Sequence, residues 1–355
     1  MYKNYDIVII GGGVQGLSLA YNLAKNNFGS IAVIEKSYIG SGASSRNGEM
    51  LRSAFASKEW IQFFDISLLL WEKLSSELDF NVMYTRCGYI VLASTSDELE
   101  LCRTNLKTQQ SFGIKTELLE SKDVRKLIPS INPEMAAGGI LQNNGGFARH
   151  DAVVWAYVRA ARRLNVDIFP YTEVSGIQVE SGTVKAVTTS KGKLGTNIVV
   201  NSAGGHAGDI AAMVGLSLPS HTYRLEMIVT EPLKPFLSPM LASLNTMSYM
   251  HQSTRGEFVG GAEIENLPPA KSLKSTLVAT QDMAGKFIRL FPGLGNVRLM
   301  RQWGGIVDMA PDIAPILGPV KGVEGFILDC GWVYGFVGAP AAGELLAQYI
   351  LTGEM

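Results

Sequence analysis

Residues 6–16 read Asp-Ile-Val-Ile-Ile-Gly-Gly-Gly-Val-Gln-Gly, a short apolar run followed by glycines with the spacing G-x-G-x-x-G. The apolar run predicts a strand buried on both faces, and residues 17–25 after the glycines predict an amphipathic helix. In such a unit Gly11 allows a tight turn, Gly13 lets the backbone approach a pyrophosphate, and Gly16 brings helix and strand together. The stretch therefore predicts a strand–turn–helix unit that binds a dinucleotide.

A carboxylate follows at the position that such a unit requires. A second apolar run, residues 30–34, ends at Glu35, which is 24 residues (35 − 11) after Gly11. A carboxylate at the end of the second strand can accept hydrogen bonds from the hydroxyls of an adenosine ribose. An ordinary strand–helix turn is the alternative, but all parts of the dinucleotide motif occur here in order.

A loop of small residues comes directly after this acid. Residues 39–48 read Ile-Gly-Ser-Gly-Ala-Ser-Ser-Arg-Asn-Gly. NAD-binding domains usually return to a helix and a third strand at this point, whereas a Gly/Ser/Ala loop with one Arg and one Asn can wrap a second phosphate and the edge of a flavin. A flexible surface loop is the alternative, because such stretches often serve as linkers. We therefore expect FAD rather than NAD.

The composition excludes several classes of protein. With 31 Lys+Arg against 32 Asp+Glu in 355 residues, the formal net charge is −1, which argues against a nucleic-acid partner. Three scattered cysteines suit neither a disulfide framework nor an iron–sulfur site, and no His, Cys or carboxylate spacing predicts a metal site. No apolar run approaches the ~20 residues of a transmembrane helix, and no signal-peptide cleavage region is present. We expect a cytoplasmic protein without metal.

Three further glycine clusters are placed where a backbone could approach a bound dinucleotide. They lie at residues 201–208, where a strand runs into Asn-Ser-Ala-Gly-Gly-His-Ala-Gly, at Gly304-Gly305 and between residues 331 and 338. We expect a last helix from Ala341, and a helix N-terminus at the flavin N1/C2 edge would stabilise the anion that forms on reduction. A tight turn between the last strand and the last helix is the alternative.

Longer motifs make the chain similar to a known family. They are Ala-Arg-His-Asp-Ala-Val-Val-Trp-Ala at 148–156, Asn-Ser-Ala-Gly-Gly-His-Ala-Gly-Asp at 201–209, Arg-Gln-Trp-Gly-Gly-Ile-Val-Asp from 301 and Cys-Gly-Trp-Val-Tyr-Gly-Phe at 330–336. With the opening motif, they resemble the D-amino-acid-oxidase superfamily. The resemblance is greatest to the FAD-binding β subunit of heterotetrameric sarcosine oxidase and to dye-linked L-proline dehydrogenases.

This resemblance implies an α/β fold with a Rossmann-like FAD-binding domain of the GR2/DAO type and an interleaved mixed-β-sheet substrate domain. The implied FAD-binding domain comprises residues 1–84, 146–218 and 298–355, and the substrate-binding domain comprises 85–145 and 219–297. From the motifs and the resemblance together we expect these FAD contacts: Gly11, Gly13, Val14, Gln15, Gly16, Glu35, Lys36, Ser44, Ser45, Arg46, Asn47, Gly48, Val174, Ala203, Gly204, Gly304, Gly305, Gly331, Tyr334, Gly335, Phe336 and Val337.

The resemblance also implies a reaction. Such proteins oxidise the C–N bond of a small amino acid, usually a secondary amine such as proline, hydroxyproline, sarcosine or an opine, by hydride transfer to flavin N5. Arg52 is the candidate anchor for the substrate carboxylate, because a guanidinium binds a carboxylate through two bonds. A surface arginine is the alternative. Tyr249 can close the pocket, although core packing is an equal alternative.

Two departures from the family concern the substrate and the electron acceptor. Sarcosine-oxidising relatives end the final glycine loop in Gly-Phe-Lys, whose lysine is a second carboxylate anchor, but this chain has Val337. Monomeric relatives carry a lysine for oxygen near residues 257–261, which read Glu-Phe-Val-Gly-Gly here. We therefore expect a bulkier or differently held substrate and a slow reaction with oxygen.

His150 raises the question of a second flavin. An isolated histidine before a helix is more often a cap or a packed side chain. In the resembling subunit, the histidine of a Lys-His-Asp motif holds FMN at the interface with a larger α subunit, and Arg149-His150-Asp151 keeps that pattern. The resemblance thus implies FMN near His150 and a partner chain that accepts electrons.

Two other functions remain open at this point. One is a stand-alone, oxygen-using glycine or D-amino-acid oxidase, and the other is an electron-transfer subunit without a substrate pocket. The missing lysine and the Arg-His-Asp motif argue against the first, and Arg52 argues against the second.

Overall fold

The computed structural model describes residues 2–264 and 269–354. Its helices, in chain order, are α1 Val14–Lys25, α2 Lys58–Glu77, α3 Ser96–Ser111, α4 Ser121–Leu127, α5 His150–Arg163, α6 Ala207–Ala212, α7 Leu277–Leu290 and α8 Gly335–Thr352. Its strands are β1 Tyr2–Asn4, β2 Ile7–Ile10, β3 Ile31–Ile34, β4 Met50–Leu51, β5 Thr85–Arg86, β6 Tyr89–Ala93, β7 Thr116–Glu120, β8 Gly138–Gln142, β9 Gly146–Phe147, β10 Asp167–Phe169, β11 Val174–Glu180, β12 Thr183–Thr189, β13 Gly192–Gly195, β14 Val199–Asn201, β15 His221–Pro232, β16 Met240–Ser243, β17 Ser248–Gln252, β18 Glu257–Ala262, β19 Leu299–Met309, β20 Ile316–Pro319 and β21 Phe326–Cys330.

A six-stranded sheet forms the nucleotide-binding half of the molecule. Its strand order is β10-β3-β2-β14-β21-β20, and all neighbours are parallel except β20 and β21. Every residue of β2 and β3 is buried, as expected for parallel strands covered on both faces. Because β2, β3, β14 and β21 are parallel, the glycine turns and the acid that follow them lie at one edge of the sheet. This arrangement confirms the Rossmann-like architecture.

Two layers cover this sheet. On one face, α1, α2, α5 and α8 build a core around the fully buried Trp71 and Tyr157. On the other face, a four-stranded sheet with the order β1-β13-β12-β11 packs through aliphatic residues such as Val184 and Val187. The strands that carry the glycine turns are therefore held from both sides.

An eight-stranded mixed sheet forms the other half. Its order is β19-β15-β18-β17-β16-β6-β8-β7, with β16 and β6 as a parallel pair among antiparallel neighbours. One face of α7 packs on this sheet, where Phe258, Phe287 and Phe291 form a second core. This confirms the expected mixed sheet.

A small three-stranded sheet, β4-β9-β5, positions two candidate residues. Met50 pairs with Phe147 and Leu51 pairs with Gly146. The residues that follow these strands, Arg52 after β4 and His150 after β9, are thus carried by neighbouring strands.

The predicted domain boundaries stay predictions, and the pairing of β19 bears on one of them. The boundary predicted at 298 falls just before β19, but β19 pairs with β15 from Leu299 to Met309. The eight-stranded sheet therefore extends to Met309, and we propose that the third FAD segment begins after it. The segment 219–297 includes residues 265–268, which lie outside the described residues. Within the described ranges, no helix is both long and apolar enough to cross a membrane.

Candidate active site

The first glycine turn joins β2 to α1 with almost no space for side chains. Gly11 has a φ of 122°, and a Cβ there would lie 2.2 Å from the carbonyl oxygen of Ser202. A Cβ on Gly16 would lie 2.3 Å from the carbonyl oxygen of Gly11. Because α1 begins at Val14, and not at residue 17 as the sequence predicts, Gly16 lies in its first turn. The N-terminus of α1 thus lies against the ends of β2 and β14.

Glu35 lies beside this turn. Its carboxylate accepts hydrogen bonds from the backbone N–H of Gly12, at 3.0 Å, and from that of Ser37, at 2.8 Å. The residue is 9% exposed, whereas the next side chain, Lys36, is exposed. The acid is therefore oriented by backbone donors at the place where the motif requires a ribose acceptor.

The small-residue loop is fixed rather than free. The hydroxyl oxygen of Ser44 accepts a hydrogen bond from the backbone N–H of Val14 at 2.9 Å. A Cβ on Gly13 would lie 3.0 Å from the same oxygen. The side-chain amide of Asn47 donates to the carbonyl of Ser44 at 2.8 Å. Ser45 and Gly48 are half-buried beside them. These contacts argue against the surface-loop alternative.

Arg46 ties the loop to the edge of the eight-stranded sheet. Its carbonyl accepts the indole N–H of Trp303 at 3.2 Å, and a Cβ on Gly305 would lie 3.1 Å from its Cβ. Gly304 faces another segment, because a Cβ there would lie 3.2 Å from the carbonyl oxygen of Leu273. Of the two glycines, only Gly305 faces the loop.

Two glycines at this edge face open space. Gly204 has a φ of 53°, and no atom of the described residues outside its chain neighbours lies within 4 Å of the position of a Cβ on Gly204 or on Gly42. Ala203, which precedes Gly204, is half-buried. The side-chain amide of Gln15 donates to the carbonyl of Gly335 at 2.7 Å, but its Oε1 is buried without a partner among the described residues. A buried, unpaired acceptor at the start of α1 and two glycines with open space at their Cβ positions fit a bound FAD.

The last helix begins earlier than the sequence predicts. It starts at Gly335 rather than at Ala341, and Pro340 lies inside it. Pro340 has no N–H to bond to the carbonyl four residues before it and its ring crowds that carbonyl, but the helix continues on both sides of it. The carbonyl oxygen of Val337 accepts hydrogen bonds from the Ser67 hydroxyl, at 2.5 Å, and from the indole N–H of Trp71, at 2.8 Å. These two donors fix the N-terminal turn of α8 beside the candidate site.

The side chains of Phe336 and Val337 pack in the core, and a contact of either residue with FAD stays a prediction. Both are buried, and the Phe336 ring lies 5.2 Å from that of Trp71. Tyr334, directly before α8, is half-buried. The backbone N–H groups at the start of α8 follow Tyr334 directly.

Gly331 and Val174 lie at the margins of the predicted cofactor region. Gly331 has a φ of 74°, and its N–H donates to the buried carboxylate of Asp308 at 2.8 Å. Burial raises the pKa of that carboxyl. Val174, the first residue of β11, is 7% exposed and packs beneath the six-stranded sheet. A role for either in FAD binding stays a prediction.

The guanidinium of Arg52 is surrounded by aromatic rings. Its central carbon lies 4.1 Å from the ring centroid of Phe55, 4.9 Å from that of Tyr334 and 5.1 Å from that of Tyr89. No carboxylate of the described residues pairs with Arg52. Aromatic faces hold a cation without using its hydrogen-bond donors, so these remain available for a ligand.

Tyr249 reaches the same region from β17. A Cβ on Gly48 would lie 3.0 Å from the Tyr249 ring, which places the ring against the small-residue loop. Burial, with a contribution from Tyr334, raises the pKa of Tyr249 to about 12, so its hydroxyl is protonated at neutral pH. The structure therefore brings Arg52, Tyr249 and Tyr334 together.

His150 contacts a residue that the sequence did not single out. Its Nδ1 lies 2.6 Å from Oε1 of Glu49, and the fully buried His251 lies 3.8 Å from the other oxygen of this carboxylate. Glu49 stands between Gly48 and Arg52, but its partners come from β9–α5 and β17. No local pattern could have identified them, nor the contact of Tyr89 with Arg52. In the two described ranges, no three His, Cys or carboxylate side chains could hold a metal.

Comparisons with known proteins agree with this arrangement. The family model described as FAD dependent oxidoreductase (DAO) matches residues 6–349. The chain is 36% identical to sarcosine oxidase subunit beta of Rhizobium meliloti, over 99% of this chain and 85% of that protein. It is 33% identical to the protein of the same name from Rhodobacter capsulatus, over 99% and 86%.

A solved structure shows the same fold. L-proline dehydrogenase from P. horikoshii superposes with a TM-score of 0.95 at 29% identity. The superposition covers 100% of this chain and 95% of that chain. The match extends over both halves described above.

Proposed function

This chain belongs to the DAO family of FAD-dependent oxidoreductases, and we propose that it oxidises the C–N bond of a small amino acid with a secondary amine. Proline, hydroxyproline, sarcosine and opines are the candidate substrates. The names of its relatives, sarcosine oxidase subunit beta and L-proline dehydrogenase, support this class of substrate. FAD, when bound, supplies a hydride acceptor at N5.

The free guanidinium of Arg52 carries this proposal. It is held by Phe55, Tyr89 and Tyr334 and has no carboxylate partner in the described part of the chain. A substrate carboxylate would form two charge-assisted hydrogen bonds with it. Hydride is lost from one of the carbons bonded to the amine nitrogen, so anchoring the nearby carboxylate also orients the reacting C–N bond.

The remaining residues divide between cofactor and substrate. Glu35, Ser44, Gln15 and the turn glycines would hold the dinucleotide. The first N–H groups of α8 have no partners within the helix and favour a negative charge at its N-terminus, as a reduced flavin would carry. Tyr249 and Tyr334 would bound the substrate pocket and keep water from it.

The second carboxylate anchor of sarcosine-oxidising relatives is missing. Val337 occupies that sequence position, is 4% exposed and packs in the core beneath α8. Arg52 therefore holds the carboxylate without a second cation from this position. We favour a bulkier amino acid such as proline or an opine, whose ring or substituent adds contact with the aromatic walls.

We further propose that the electrons leave through another chain. The strand β18 offers no lysine for oxygen, since residues 257–261 are Glu-Phe-Val-Gly-Gly. The subunit designation of the relatives supports a larger α subunit as partner, with FMN beside His150 at the interface. A cytoplasmic location is part of this proposal, in keeping with three free cysteines.

Steady-state turnover with two acceptors tests the proposal. We expect the FAD-loaded protein, given its best amino-acid substrate, to reduce an artificial dye at least about tenfold faster than it reduces oxygen. Stoichiometric peroxide at the full rate of turnover would instead support a stand-alone oxidase. Absence of turnover with both acceptors, with every candidate substrate, would contradict the proposed reaction.

A further inference from the structure

Glu49 has an unusual backbone for its residue type. Its φ is 61°, in the left-handed region that few residues other than glycine adopt. It follows Gly48, which packs against Tyr249, and it is 8% exposed. A strained backbone and a buried charge are both unfavourable, so they point to a role for the carboxylate.

The carboxylate of Glu49 binds His150 twice. Oε1 accepts the backbone N–H of His150 at 3.1 Å and lies 2.6 Å from its ring Nδ1. Arg149 Nε lies 3.8 Å from the same oxygen. Burial alone would raise the pKa of Glu49, but its hydrogen bonds with the side chain and backbone of His150 help to lower that pKa below the ordinary value.

An ionised carboxylate can only accept hydrogen bonds, so the proton between the two groups is on Nδ1 of His150. In a neutral imidazole the other nitrogen, Nε2, then carries the lone pair. Nε2 points away from the Nδ1 bond, and the His150 side chain is 26% exposed. The lone pair is thus available to a group outside this chain.

His251 lies behind Glu49. Its ring packs on Phe147 with centroids 4.5 Å apart, and both of its nitrogens are buried without a hydrogen-bond partner among the described residues. Burial lowers its pKa to about 4, so the ring is neutral at pH 7. The Glu49 carboxylate therefore lies between a buried neutral histidine and a half-buried one.

We propose that Glu49 is a positioning residue that holds His150 as the Nδ1–H tautomer and directs its Nε2 lone pair toward the second flavin. This inference rests on the proposed FMN site at His150. On this proposal, the chain between the small-residue loop and Arg52 also positions His150 at the proposed subunit interface. It also accounts for a carboxylate at a position whose backbone conformation suits glycine.

Nitrogen NMR of the FAD-loaded chain tests the proposal without FMN or a partner. The chain has four histidines, so ¹⁵N-histidine labelling with single histidine substitutions assigns every ring. At pH 8.5 we expect His150 to show a protonated Nδ1 and an unprotonated Nε2. A proton on Nε2 of His150, in either charge state of the ring, would overturn the proposal.

Two variants separate the carboxylate from the backbone. Glu49→Gly suits a φ of 61° and removes the acceptor, so we expect His150 to lose its preference for the Nδ1–H tautomer. Glu49→Gln keeps an acceptor oxygen and should restore that preference. Asp209→Asn is the control, because Asp209 lies 3.1 Å from His206 and should change the His206 signals alone. Unchanged His150 signals in Glu49→Gly would overturn the proposal.

The assembled enzyme distinguishes this inference from the function on which it rests. Purified with its partner chain, Glu49→Gly should lose FMN and keep FAD. Full retention of FMN by this variant would overturn the positioning role and leave the FMN site intact. A wild-type complex without FMN, but with the expected His150 tautomer, would refute the FMN site and with it the flavin as the target of Nε2.

Discussion

The guanidinium carbon of Arg52 lies 4.1 Å from the ring centroid of Phe55, three residues further along the chain. Tyr334, from the last glycine loop, faces the same cation at 4.9 Å. The cation is therefore held by packing while its N–H donors stay free. This is the arrangement that a carboxylate-binding pocket needs.

Replacing Arg52 should discriminate between substrates. In Arg52→Ala we expect kcat/KM for proline to fall by about 100-fold or more, because two charge-assisted hydrogen bonds are lost. Pyrrolidine, which lacks the carboxylate, should be affected far less. Arg52→Lys keeps the charge but not the planar guanidinium, so its kcat/KM for proline should lie between the values of wild type and Arg52→Ala. Equal losses for proline and pyrrolidine would refute the assigned role.

Replacing glycine by alanine should disrupt FAD binding in the crowded dinucleotide turn and should be tolerated at an uncrowded helical position. Gly16→Ala places a Cβ 2.3 Å from the carbonyl of Gly11, so we expect the purified variant to lose most of its FAD. Gly285→Ala is the matched control, because it lies inside α7 and its Cβ would meet no atom of the described residues beyond its own helix backbone within 4 Å. The control should keep its FAD and gain up to about 1 kcal/mol of stability. Normal FAD content in Gly16→Ala would contradict the dinucleotide turn.

The buried His251 should make stability depend on pH. Burial lowers its pKa to about 4 in the folded state, against about 6.5 when unfolded. Between these values the unfolded chain binds more protons, so the free energy of unfolding falls as pH drops from 6.5 to 4, by up to about 3 kcal/mol. His251→Phe keeps a ring on Phe147 and should remove that part of the pH dependence.

Urea unfolding at several pH values measures this effect. His206→Asn serves as the control, because it replaces a histidine that lies beside Asp209 and not behind Glu49. The same slope below pH 6.5 in wild type and His251→Phe would show that His251 is not the titrating group.

The glycine turns could be predicted from the sequence because their requirements are local. Gly11 and Gly16 are dictated by a turn of six residues, and Glu35 ends the next strand. Parallel pairing then brings the turn at Gly204 to the same edge. The sequence predicts a glycine loop at residues 331–338 and a helix from Ala341, but α8 begins inside that loop, at Gly335, and continues through Pro340.

The partners of the polar residues could not be predicted in the same way. Tyr89 reaches Arg52, and His251 reaches Glu49, only because sheet pairing brings distant segments together. Arg52 was found by its resemblance to a family position, but the aromatic rings that hold it come from three separate segments. Glu49 adjoins the predicted contacts Asn47 and Gly48, yet its role depends on His150 across the small sheet.

Anaerobic reduction of the bound FAD by single amino acids tests the proposed function most directly. Proline, hydroxyproline, sarcosine, opines and D-amino acids would each be mixed with the FAD-loaded protein without oxygen, and the visible flavin absorbance followed. We expect at least one secondary amino acid to bleach the flavin, and Arg52→Ala to slow that bleaching. Bleaching by none of them, with the partner chain also present, would contradict amino-acid oxidation and favour an electron-transfer subunit.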